Sequence, residues 1–300
     1  MKKICNILVL LLLCVVLAGC SNSKGSVIVG AKDYTEQHIL GNILAQLIAH
    51  NTLIEVTLKT DMGSEMIFAG ISTDQLDLYV EYTGTVYANH LKYYDSHSDF
   101  GEAPSSDAVF ETSRRVLAED YNIRVLDKLG FNNTFALAVR ADMAAVFNLD
   151  SISDLAKVSS NLIFGGGNEI LSRSDGIPTL KILYDMHFKR EVVLNGNDRY
   201  FAIANDEVHV IAAFSTDGML LEYSLVVLDD DKNFFPPYHA VPIIREEIAE
   251  KYPEIVDVIS ELTGLITDDI MRSLNYKVDV HGQDPAAVAE EFLRENNLLK

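Results

Sequence analysis

Apolar and polar positions along this chain follow two rhythms that take turns. Val27-Ile28-Val29-Gly30 is a short apolar run that predicts a strand, and Ala31 to Thr35 a polar loop after it. Ile39, Leu40, Ile43, Leu44 and Leu47 then recur at helical spacing behind Thr35, which is expected to cap that helix, with Glu36 and Gln37 in its first turn. Ile54 to Lys59 alternates as a strand, residues 64–71 predict a short helix, and Leu76 to Tyr82 a further strand. Strand and helix alternating in this way argue for a mostly parallel sheet with helices on its faces.

Residues 95–107, rich in Ser, Gly, Pro and Asp, predict an exposed loop. A helix follows to about Tyr121, then a strand at 123–126. A second βα run opens at Asn132 to Val139 and continues through Leu162 to Phe164, a helix near Leu180, and Val208 to Phe214. Leu225 to Leu228 predicts a strand entering the acidic turn Asp229-Asp230-Asp231, and Phe234 to Tyr238 leads into Ala240 to Ile244. From Glu246 onward the pattern predicts three amphipathic helices, the last over 285–299. The chain carries neither an internal repeat nor a low-complexity tract.

Ligands of open α/β sheets sit beyond the carboxyl ends of strands. Asp77-Leu78-Tyr79-Val80-Glu81-Tyr82-Thr83-Gly84-Thr85 runs from a buried strand into such an end. Tyr82 and Thr85 are therefore placed to touch a ligand, or Tyr82 packs the core and Gly84 simply turns the chain. Phe135, Phe214 and Tyr238 stand at comparable strand ends and loop entries. Ring faces carry negative quadrupole charge, so several rings around one space can box a cation too bulky to hydrogen-bond, quaternary ammonium above all. Taken one by one, such rings more often pack a core than line a cage.

The first 20 residues stand apart from the fold. Lys2 and Lys3, an apolar run from Ile7 to Val16, and Leu17-Ala18-Gly19-Cys20 form a secretory leader ending in a lipobox, with Cys20 as the acylated first residue of the mature chain. Residues 21–25 are a polar tether. All three cysteines (Cys5, Cys14, Cys20) lie in the leader, so the mature chain has no thiol for a disulfide or a thiolate metal site. The formal charge of −20 falls to −22 once Lys2 and Lys3 leave, which excludes nucleic acid and charge-driven binding to anionic lipid. Membrane attachment is expected through the acyl chains on Cys20 instead.

Chemistry for catalysis is absent from the pattern. The eight histidines are scattered without the spacing of a helical zinc site. There is no nucleophile elbow and no phosphate-binding loop of the GxxxxGK type, so no metal and no cofactor is expected. Gly165-Gly166-Gly167 could cradle an anion or simply turn a strand into a helix. Lys32 follows a strand, and Arg173 sits in a turn before Asp175, where it could grip a carboxylate bidentately or pair with Asp175.

Five motifs in order carry a resemblance: Lys32 to Gln37 (KDYTEQ), Glu81 to Thr85 (EYTGT), Phe131 to Leu137 (FNNTFAL), Ser172 to Gly176 (SRSDG) and Phe214 to Gly218 (FSTDG). Together they resemble the substrate-binding lipoproteins of osmoprotectant ABC importers, of the glycine betaine, carnitine and choline type. The resemblance implies an α/β, two-lobed type II periplasmic-binding-protein fold with a hinge between the lobes. Lobe 1 is expected from residues 26–130 and 239–300, and lobe 2 from 131–238. It also implies a monomeric receptor that hands its ligand to an ABC permease and its ATPase subunits, and no enzyme. Carried over by motif, the aromatic box is Tyr82, Phe135, Phe214 and Tyr238, and the carboxylate end is Lys32, Thr85 and Arg173. Phe135 and Phe214 depart from the pattern, since tyrosine is usual there. A receptor for a different betaine or small cation, and a surface enzyme or adhesin on the same fold, remain the rival readings.

Overall fold

The computed structural model describes residues 25–87, 105–172 and 176–299. Cys20, Arg173 and most of the 95–107 loop lie outside the described residues, so the expectations placed on them are not met or refused by the fold. Among the described residues ten strands form two five-stranded sheets. The first is ordered β2-β1-β3-β10-β4, from β1 (Gly25–Lys32), β2 (Ile54–Met62), β3 (Leu78–Tyr82), β4 (Ile123–Val125) and β10 (Ala240–Arg245). The second is ordered β7-β6-β8-β5-β9, from β5 (Phe135–Arg140), β6 (Ile163–Gly166), β7 (Arg190–Val193), β8 (Val210–Phe214) and β9 (Leu225–Val227).

Each sheet is mixed. In the first, β1 pairs in parallel with β2 and β3, while β10 runs antiparallel to β3 and β4. In the second, β6 is parallel to β7 and β8, while β5 is antiparallel to β8 and β9. The expectation of a mostly parallel sheet thus gives way to an even split. The antiparallel half comes from the two strands, β5 and β10, that follow each passage of the chain between sheets.

The chain leaves the first sheet after β4 and returns from the second at β10. The two passages lie side by side, bridged at Asn132 and His239, with Asn133 N–H donating to Tyr238 C=O at 3.1 Å. The first helix, Thr35–Asn51, buries Ile39, Leu40, Ile43, Leu44, Leu47 and Ile48 in a core shared with β1, β3 and the C-terminal helices. Each such side chain contributes roughly 1.5–3 kcal/mol by leaving water.

Two local expectations need correction. Thr35 is the first helical residue rather than the cap, a position held by Tyr34 without a side-chain bond. The Thr35 hydroxyl instead donates to Asp279 at 2.5 Å. The tail holds four helices rather than three: Glu246–Lys251, Pro253–Ser260, Asp268–Asp279 and Pro285–Glu295. Pro253 cannot continue the preceding turn, so one run of apolar periodicity becomes two helices. The strand β7 was not foreseen: its residues are mostly exposed, so little in their apolar pattern announces an edge strand.

Candidate functional site between the two sheets

Lys32 ends β1, and its ammonium meets Glu81 of β3 at 2.5 Å with both side chains buried. Glu81 also accepts from the Tyr79 hydroxyl at 2.9 Å and the Tyr82 N–H at 2.8 Å. The Lys32 Nζ lies 5.3 Å from the centre of the Tyr82 ring. Lys32 is thus already paired with a carboxylate of its own chain, which sequence reading did not foresee.

Glu36, in the first turn of the first helix, is the knot of this region. Its Oε1 accepts from the Tyr82 hydroxyl at 2.6 Å and from Asn133 Nδ2 at 2.8 Å, and its Oε2 from Asn275 Nδ2 at 3.0 Å. The Thr216 hydroxyl is a further donor. These donors come from β3, from the first passage between sheets, from the helix Asp268–Asp279 and from the loop after β8. Burial pushes the Glu36 carboxyl above its ordinary value, and the four donors only partly offset this. Burial, followed by the charge of Glu36, raises the Tyr82 hydroxyl well above its ordinary value too. Tyr82 is 3% exposed, and its hydroxyl also accepts from Gln37 Nε2 at 3.1 Å. Tyr34 is 38% exposed and sets its hydroxyl against that of Tyr82.

On the second sheet Phe135 and Phe214 face each other across the β5–β8 pair and stack with ring centres 4.8 Å apart at 25°. Phe135 is half-buried and Phe214 is 37% exposed. The Phe214–Gly218 loop is held by Asp217, which accepts from Phe214 N–H at 3.0 Å, from Arg199 at 2.9 Å and from the Tyr200 hydroxyl. Arg272 donates twice to Ser215 C=O, at 3.1 and 2.7 Å, which ties this loop to the helix Asp268–Asp279.

Tyr238 stands on the second passage, packed against the first sheet's core. Its N–H donates to Asn132 Oδ1 at 2.6 Å, and its ring lies so close to Gly84 that a Cβ there would come within 2.7 Å of it. Only glycine allows that approach. Thr85, one residue on, is half-buried. The aromatic positions named from sequence therefore gather around the double passage, Tyr82 and Tyr238 on the first sheet's side and Phe135 and Phe214 on the second's. Among the described residues no group of three His, Cys, Asp or Glu side chains comes together to hold a metal.

Residues 25–295 match the family described as the substrate-binding domain of the ABC-type glycine betaine transport system. The chain belongs to this family. A solved glycine betaine/carnitine/choline ABC transporter structure superposes with a TM-score of 0.85 at 31% identity, over 91% of this chain and 100% of that one. The carnitine transport binding protein OpuCC of Listeria monocytogenes is 34% identical over 284 residues, 93% of this chain and 89% of its own length. The ergothioneine transport permease/ergothioneine binding protein EgtU of Helicobacter pylori is 35% identical over 268 residues. The match covers 89% of this chain and 47% of EgtU, so this chain spans about half of that protein. As in the family at large, the chain is a substrate-binding protein of an ABC-type importer. Such receptors are extracytoplasmic, and no described helix is long and apolar enough to cross a membrane.

Sequence reading missed Tyr34, Glu36, Glu81 and Asn133, although all four sit inside the family motifs. Glu81 alone carried a local signal, a carboxylate held within the apolar run Leu78 to Tyr82; Tyr34, Glu36 and Asn133 stand among polar neighbours that do not single them out. Asn275 had no local signal, because only the fold brings it to Glu36.

Proposed function

We propose that this chain is the lipid-anchored receptor of an ABC importer for quaternary-ammonium solutes, held to the membrane through Cys20 and working as a monomer. Lobe 1 is residues 26–130 and 239–300, lobe 2 is residues 131–238, and the paired passages between them form the hinge. Tyr82, Tyr238, Phe135 and Phe214 box the trimethylammonium group, with Tyr34 as a fifth ring. Thr85 and Arg173 meet the ligand's carboxylate. Lys32 reaches it only by sharing an ammonium that has three donors, one of them used on Glu81.

The observation that carries this reading is the gathering of rings from both sheets onto one hydrogen-bonded passage whose buried acid, Glu36, has only neutral donors among its bonds. Ring faces and a buried carboxylate both favour a cation that needs no hydrogen bond. The receptor does no chemistry; closure around the ligand presents a loaded shape to the permease. Calorimetry with glycine betaine, carnitine, choline and ergothioneine tests it. One-to-one binding of at least one of them, with the ligand recovered unchanged, is expected. No binding of any, or conversion of a bound compound, removes the reading. Cys20→Ala should release the protein from the membrane and leave affinity intact.

A further inference from the structure

A cavity of about 230 Å³ opens beside the stacked phenylalanines of the second sheet, lined by Phe135, Phe214, Ile170, Asn168, Asn195 and Arg199. It lies beyond the carboxyl ends of β6 and β8, where α/β sheets present ligand sites. Of the side chains named, Arg199 alone carries charge. One of its terminal nitrogens is spent on Asp217, while its Nε is buried with no hydrogen-bond partner among the described residues. A buried donor without an acceptor is costly, and a fork of five donors is suited to a planar acceptor. Asp217 is in turn shared with the Phe214 N–H and the Tyr200 hydroxyl, so Arg199 is oriented by a carboxylate that it does not monopolise. Lys32 differs here: it is buried against its own partner, Glu81.

We infer that this cavity is a second ligand compartment, which takes a hydrogen-bond-accepting group carried on the far side of the ligand from its quaternary nitrogen, with Arg199 as donor. The inference rests on the proposed quaternary-ammonium reading, because the cavity shares Phe135 and Phe214 with the cation box. A water molecule occupies about 30 Å³ of liquid, so the space exceeds what one carboxylate fills and suits a longer polar arm. Glycine betaine and choline are too short to use both compartments. Carnitine, whose single carboxylate sits on a longer arm, would bring it here instead of to Thr85 and Arg173, whereas ergothioneine would keep its carboxylate there and bring its ring-borne thione here.

Calorimetry on wild type, Arg199→Gln, Arg199→Lys and Asn168→Asp with these four compounds decides the matter. Arg199→Gln should weaken carnitine or ergothioneine by about tenfold or more and leave glycine betaine and choline within about threefold. A loss confined to carnitine identifies a carboxylate in the cavity, and one confined to ergothioneine a thione. Arg199→Lys should recover part of the loss, and Asn168→Asp, which adds negative charge to the lining, should weaken the same long compound. An equal loss on glycine betaine would mean that Arg199 only positions the Phe214 loop and would overturn the inference, as would unchanged affinity for both long compounds. Wild-type binding of glycine betaine but of neither long compound overturns the inference alone. Binding of none of the four overturns it together with the proposed function.

Discussion

The two sheets bring aromatic rings to the same passage in opposite ways. On the first, Tyr82 is sealed, its hydroxyl shared between Glu36 and Gln37, its N–H on Glu81 and its ring beside the Lys32 ammonium. On the second, Phe135 and Phe214 carry no hydroxyl, stack on each other, and leave Phe214 more than a third exposed. The first side is already committed to the fold, whereas the second keeps apolar surface that a ligand can cover. Substitutions on the first side should therefore act first on stability, and those on the second on affinity.

Tyr82→Ala should have the largest effect. Removing a buried ring costs about 3–5 kcal/mol, and leaves Glu36 and Gln37 each short of a partner. Denaturant unfolding of the ligand-free protein measures it. A loss below about 1 kcal/mol would mean that Tyr82 is held for the ligand and not for the fold. In folded protein the same change should also weaken quaternary-ammonium binding by about tenfold, through loss of one ring from the box.

Phe214→Ala is the counterpart. Its exposed ring contributes little to the ligand-free fold, so stability should shift by less than about 1 kcal/mol. Affinity should fall by about tenfold, the scale of one desolvated ring against a cation. Unchanged affinity with lowered stability would invert the comparison.

Most of the architecture was legible in the sequence, because strands such as Leu78–Tyr82 and Val210–Phe214 are buried on both faces and read as apolar runs. The edge strand Arg190–Val193 was not, since its mostly exposed residues satisfy no apolar rhythm. At the site, the motifs led to the right loops but not to how their polar residues pair. Lys32 read as a free cation because Glu81 lies 49 residues away, and only the β1–β3 neighbourhood brings them together. Asn275 comes to Glu36 from 239 residues away on a helix whose sequence advertises only amphipathicity. Arg199, likewise, becomes notable through the cavity that it borders.

Thr85→Asp probes the carboxylate end and should move selectivity by about tenfold. An aspartate there repels a betaine carboxylate and can accept from the choline hydroxyl. The ratio of glycine betaine to choline dissociation constants should rise accordingly in the mutant. A ratio that does not move would place the carboxylate away from Thr85.

The Glu36 knot gives a pH signature. Its folded-state pKa is raised above the ordinary 4.5, so the folded protein holds this proton more tightly than the unfolded chain. Its stabilising contribution is full below the unfolded value and is lost as pH rises through the raised folded one. Glu36→Gln cannot titrate. The stability of wild type relative to that variant should therefore decline from pH 4 upward until Glu36 is fully ionised. A relative gain with rising pH would mean that the four donors outweigh burial, and that the carboxylate is held charged.

The smallest effects belong to the two phenylalanines themselves, and they should differ. Tyrosine keeps the ring face that a cation uses and adds a hydroxyl that needs a partner. At Phe214 the ring is exposed, so the added hydroxyl of Phe214→Tyr can reach water, and stability should stay within about 0.5 kcal/mol. Phe135 is half-buried, stacked on Phe214 and tilted against Phe235 with ring centres 6.3 Å apart. A hydroxyl carried into that packing loses water without a guaranteed acceptor, so Phe135→Tyr should cost about 1 kcal/mol. Both variants should still bind quaternary ammonium, because each keeps the ring face that a cation uses. Paired unfolding and calorimetric measurements on the two variants give the answer. If Phe214→Tyr abolishes binding while Phe135→Tyr does not, the exposed ring faces a dry pocket rather than the solvent side of the box, and the second sheet's rings are shaped for a smaller group than trimethylammonium.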